Sequence, residues 1–112
     1  MSKENYSLEN ALIKYIQLLD TKDYFDAHEV LEEAWHPLRK SKHPLANLVK
    51  GFINASIALE HLKRDTPTAK NKVTRVIASY QRHIYLCRED IEHYELFREA
   101  SKKIEIPLRQ FL

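Results

Sequence analysis

The stretch Tyr24–Trp35, YFDAHEVLEEAW, threads ionisable residues through a helical apolar pattern. At about 100° per residue, Tyr24, Ala27, Leu31, Ala34, Trp35 and Leu38 share one apolar arc, with Val30 at its margin. Asp26, Glu29, Glu33 and His36 fall on or near the opposite side, where charge meets water. The pattern predicts an amphipathic helix over Tyr24–Leu38. His28 and Glu32 stand apart from both groups. They are four residues apart, so they share one face, and by the same angles they lie between Trp35 and Phe25. Two ionisable groups at the edge of a buried stripe need partners, because burying an unpaired charge costs several kcal/mol.

The same periodicity recurs along the chain. Leu8, Ala11, Leu12, Tyr15, Ile16 and Leu19 form a stripe that predicts a first helix of about Leu8–Thr21, with Ser7 as its N-cap. Asp23 is placed to cap the central helix. That helix is expected to end near Pro37, since the residue before a proline is pushed out of the α region. Pro44–Arg64 reads as a third helix with Leu45, Leu48, Val49, Phe52, Ala55, Ser56 and Leu59 on its stripe. Gly51 lies inside that helix, where glycine costs about 1 kcal/mol against alanine. Such a cost makes sense where another helix crosses closely, with Trp35 as the expected facing bulk. Thr66 and Pro67 read as cap and first-turn proline of a fourth helix, with Ala69, Val73, Val76, Ile77, Tyr80, Ile84 and Cys87 on its stripe. A break at Arg88–Asp90 and a fifth helix carrying Ile91, Tyr94, Phe97, Ala100 and Ile104 complete the chain, ending before Pro107. A single long helix in place of the last two is the alternative.

Composition supports the same class. With 112 residues, 44% hydrophobic and 30% charged, the chain is expected to be one all-α domain, 1–112, a bundle of about five helices. One Gly and four Pro argue against a turn-rich β architecture. Cys87 is the only cysteine, which excludes an internal disulfide, and its place on an apolar edge predicts an inert thiol. MSKENYSLEN is hydrophilic and no run approaches a membrane span, so a cytoplasmic protein without a membrane partner is expected.

Charge is unevenly spread. Residues 1–38 carry three basic and eight acidic side chains, residues 39–82 carry ten basic and two acidic, and residues 83–112 carry five and six. The basic middle has two readings: contact with the protein's own acidic first third, which is preferred, or contact with an anionic partner such as nucleic acid. Lys72, Arg75 and Arg82 suit phosphate contacts but lack interleaved aromatics, so nucleic-acid binding is the weaker reading.

No Gly-rich phosphate loop, zinc-type Cys/His pattern or nucleophile elbow is present. The candidates for chemistry are carboxylates and imidazoles. His28 and Glu32 at i, i+4 have the spacing of two ligands on one side of a divalent metal. His61 is the first candidate for a third ligand, with Glu29 or His36 behind it. Asn54 and His61 lie seven apart on one face of the third helix, toward its polar side. The rival reading makes His28 and Glu32 a mutually satisfied pair in a structural or interaction module, with an exposed apolar face available for a homodimer.

The segments FDAHEVLEEAW at 25–35 and GFINASIALEH at 51–61 resemble a family of small helical bacterial and archaeal proteins, the domain of unknown function 309 family. The likeness covers roughly residues 8–87. It falls on Phe25, Ala27, His28, Glu29, Leu31, Glu32 and Trp35, then on Gly51, Ile53, Ala55 and His61. Asn54 stands where the family usually has Gln, and Asp65-Thr66-Pro67 replaces a Gly-Asn turn. The resemblance implies an all-helical fold and a shared use of these polar residues, and it brings no activity with it. The expected site is a ligand or metal cluster of His28, Glu32, Trp35, Asn54 and His61, with His28, Glu32 and His61 as the metal set.

Overall fold

The computed structural model describes the backbone of residues 3–111 and the side chains of residues 8–111. Five α-helices follow one another: α1 (Lys3–Asp20), α2 (Tyr24–Lys40), α3 (Ala46–Arg64), α4 (Ala69–His83) and α5 (Tyr94–Phe111). A short 3-10 turn at Ile84–Leu86 follows α4. The all-α architecture expected from the stripes is the one observed, and α4 and α5 are separate helices. Among the described residues no helix is long and apolar enough to cross a membrane.

The helix α3 is the centre of the bundle, packing on α2, α4 and α5, while α1 closes against α2 and α5. Its sequence explains the position. Val49, Phe52, Ile53, Ala55, Ala58 and Leu59 are all buried, an arc too wide for a surface helix. Phe52 is the hub: its ring meets Tyr15 of α1 at 6.2 Å, Tyr80 of α4 at 5.4 Å and Phe97 of α5 at 5.6 Å between centroids. The fully buried Tyr15 hydroxyl donates to the Phe52 carbonyl at 2.7 Å, so its polar atom is satisfied where no water reaches.

Gly51 does mark a close crossing, but the crossing helix is α4. A Cβ built at Gly51 meets the Tyr80 Cα at 3.3 Å and the Ser79 carbonyl at 3.5 Å. Trp35 is therefore corrected as the facing bulk: its indole instead carries the Lys50 ammonium 4.3 Å from the ring centroid.

Both prolines expected to end helices lie inside them. The helix α2 continues through Pro37 to Lys40, and α5 through Pro107 to Phe111. An interior proline loses one backbone hydrogen bond and costs about 3 kcal/mol. In each case the next residue, Leu38 or Leu108, is buried at 5% exposure. Burying a leucine returns about 1.5–3 kcal/mol, which keeps the last turn in place.

Other boundaries move for local reasons. The helix α1 begins at Lys3, so Ser7 lies within it, and that serine's side chain falls outside the described residues. Asp23 occupies the N-cap of α2 without capping it, because its carboxylate accepts the Thr21 hydroxyl at 2.6 Å. The helix α4 starts two residues beyond Pro67, with Thr68 as N-cap. Cys87 is half-buried, and burial pushes its thiol above the ordinary range, as an inert cysteine requires.

Among the described residues, no ion pair joins a carboxylate of α1 or α2 to a Lys or Arg of residues 39–82; Asp20 pairs with Lys103 of α5 instead.

Candidate functional site

In a helix a long side chain leans back over the preceding turn. His28 does so, and its Nδ1 lies 2.8 Å from the Phe25 carbonyl oxygen. A carbonyl only accepts, so Nδ1 carries the hydrogen. In the neutral ring the lone pair is then on Nε2, as in histidines whose second nitrogen is fixed by a backbone carbonyl. Nε2 in turn lies 3.5 Å from Oε2 of Glu32, one turn on. Two electron-pair donors facing each other need a proton, a hydrogen-bond donor or a cation between them. The other Glu32 oxygen lies 3.9 Å from Nε2 of His36, so an imidazole stands one turn away on each side of the carboxylate.

Burial separates this arrangement from a core network. The His28 side chain is 19% exposed and the Glu32 side chain 40%. The pair therefore sits part-exposed at the surface edge of the bundle, outside its core.

Two cavities adjoin His28. One, of about 380 Å³, is lined by His28, Glu29, Val30, Glu32, Glu33 and His36. All six belong to α2, so this is a groove along one convex face with no opposing wall. The second, of about 230 Å³, lies between α2 and α3 and is lined by Phe25, His28, Ile57, Glu60, His61 and Arg64. It has two helical walls, and it brings His28 and His61 to one space.

Electrostatics distinguish the two sides of the cleft. Burial, then the nearby Lys72 and Arg64 cations, lower the His61 pKa below its ordinary 6.5, with Glu60 opposing. His61 is thus a neutral imidazole near pH 7. Arg64 is held by Glu60, Nε to Oε2 at 2.8 Å, which leaves the rim close to charge balance. Phe25 is 51% exposed and stands edge-on to the His28 ring at 5.1 Å between centroids.

Of the expected site residues, His28 and His61 converge, and Glu32 adjoins His28 on the groove side. Trp35 and Asn54 line neither cavity. The Trp35 indole is occupied by cations, with Lys50 at 4.3 Å and the Arg39 guanidinium at 5.4 Å, and it ties α2 to α3. Among the described residues no three His, Cys, Asp or Glu are gathered where they could hold one metal ion. Among the described residues His28, Glu32 and His61 are thus not gathered as one three-ligand set, and the donors stand in pairs. Ile57, Glu60 and Arg64 were missed from sequence. Ile57 and Arg64 stand at i−4 and i+3 from His61, so helical spacing alone could have found them.

The chain belongs to the domain of unknown function 309 (DUF309) family, whose model matches residues 12–73. That span reaches from α1 into α4 and includes every residue of the α2–α3 cleft. No curated protein and no solved structure matches the chain.

Proposed function

We propose that the protein binds a small polar ligand in the cleft between α2 and α3, held by the lone pairs of His28 Nε2 and His61. The observation that carries this reading is the His28 Nδ1–H bond to the Phe25 carbonyl, which leaves Nε2 as an acceptor beside Glu32. A ligand that takes a lone pair from each ring is an electron-pair acceptor. It is either a molecule with N–H or O–H groups or a divalent metal ion that keeps water in its remaining positions. Phe25 and Ile57 give the ligand an apolar wall, while Glu32 stands outside the cleft on the groove side of His28. At about 230 Å³ the cleft admits something smaller than a typical cofactor.

The test uses Zn²⁺ alone, and separately a panel of small amines and polyols, on the wild type and on His28→Ala and His61→Ala. A probe that raises the melting temperature of the wild type and of neither variant supports the reading. Equal responses in all three proteins would overturn it.

A further inference from the structure

The helices α2 and α4 both pack on α3 and not appreciably on each other. On its outer side α2 carries Asp26, Glu29 and Glu33, all exposed. On its outer side α4 carries Lys72, Arg75 and Arg82, also exposed, and no Asp or Glu occurs between Asp65 and Glu89. None of these six enters an ion pair among the described residues. Each ridge is therefore a row of like charges without local relief, and the complement of each stands on the same chain, out of its own reach.

The two ridges match in spacing. Asp26 and Glu33 are seven residues apart, and so are Arg75 and Arg82; two helical turns separate each pair by about 10.5 Å. Two carboxylates on one helix can thus meet two guanidinium groups on another, the geometry in which Arg binds carboxylates bidentately. Each ridge also has an exposed ring at one end. Phe25, 51% exposed, adjoins Asp26, and Tyr85, 70% exposed, lies just beyond Arg82. Aromatic and arginine side chains are the types enriched at interfaces.

We infer that the protein self-associates through these ridges, with α2 of one copy lying along α4 of a second. The inference does not require a ligand in the α2–α3 cleft, although Phe25 borders both surfaces. Nucleic acid is the rival occupant of the α4 ridge.

Sedimentation velocity of the full chain tests it. Self-association is expected at about 50 mM salt and weakens at least about tenfold by about 500 mM, as charge-steered contacts do. Asp26→Lys/Glu33→Lys and Arg75→Glu/Arg82→Glu are each expected to be monomeric, and their equimolar mixture associates again. A control of equal charge change away from the ridges, Glu9→Lys/Glu95→Lys, keeps wild-type association. Circular dichroism checks that each variant is folded; if a double reversal is not, Glu33→Lys and Arg82→Glu carry the same comparison. A wild type that stays monomeric at low salt, a mixture that fails to associate, or a control that loses association equally overturns the inference. So does a short DNA duplex that binds the wild type and the α2 variant alike but not the α4 variant, without self-association.

Discussion

The Nδ1–H of His28 is donated to the Phe25 carbonyl across 2.8 Å, and that bond decides what the other ring nitrogen can do. The acceptor belongs to the same helix, so the bond orients the ring without holding two elements together. His28→Ala is therefore expected to change the unfolding free energy by less than about 1 kcal/mol, the scale of surface and edge positions. The same variant is expected to lose the ligand response. Urea unfolding measures the first quantity, and a loss beyond about 2 kcal/mol would make His28 a structural residue.

His61 gives the stability a pH dependence of known sign. Its folded pKa lies below the unfolded value of 6.5, through burial and then the Lys72 and Arg64 cations. As pH falls through 6.5 the unfolded chain takes the proton first, so stability drops across the interval down to the folded pKa. His61→Gln removes this contribution. Unfolding curves at about pH 7.5 and pH 5.5 should show the wild type losing more stability than the variant over this window. An equal loss in both contradicts the account.

Gly51 stands where α3 meets the α4 backbone, a Cβ there lying 3.3 Å from the Tyr80 Cα. Leucine at this position has no flexible neighbour to displace, and Gly51→Leu is expected to cost about 2–3 kcal/mol through overpacking. Thermal unfolding reads the effect. Unchanged stability would mean that the α3–α4 crossing is looser than the structure has it.

Lysines occupy positions that glycine usually takes. Lys22 (φ 60°) and Lys42 (φ 56°) close α1 and α2 in the left-handed region. Each ends its helix in a Schellman arrangement, with Asp23 N–H donating to the Leu18 carbonyl at 2.8 Å and His43 N–H to the Leu38 carbonyl at 2.9 Å. Replacing either lysine by glycine removes the Cβ clash, and each change is expected to stabilise by about 0.5–1 kcal/mol. A higher urea midpoint for Lys22→Gly and Lys42→Gly is the expected result, and a lower one contradicts it.

Where burial decides structure, the sequence is easy to read. The stripes Leu12/Tyr15/Leu19 and Phe52/Ala55/Leu59 are core residues as their spacing predicts, because helical period and the cost of exposing carbon leave few other solutions. The prolines misled because the rule at Pro37 and Pro107 is local, whereas Leu38 and Leu108 supply a tertiary reason to continue each helix. Within the site, the proximity of His28 and Glu32 follows from i, i+4 spacing. The meeting of His28 with His61 depends on how α2 lies against α3, which no periodicity contains. Trp35 sat on the expected arc, yet its partner is the Lys50 cation, a contact between helices that spacing within either one does not specify.

The most direct test of the proposed site is the imidazole tautomer of His28, read by long-range proton–nitrogen NMR before and during titration with Zn²⁺ and then with the small amines and polyols. The expected result is a His28 ring that keeps its hydrogen on Nδ1, and a probe that moves His28 Nε2 and His61 together at one concentration. A His28 protonated at Nε2, or two imidazoles that respond at unrelated concentrations, would contradict it.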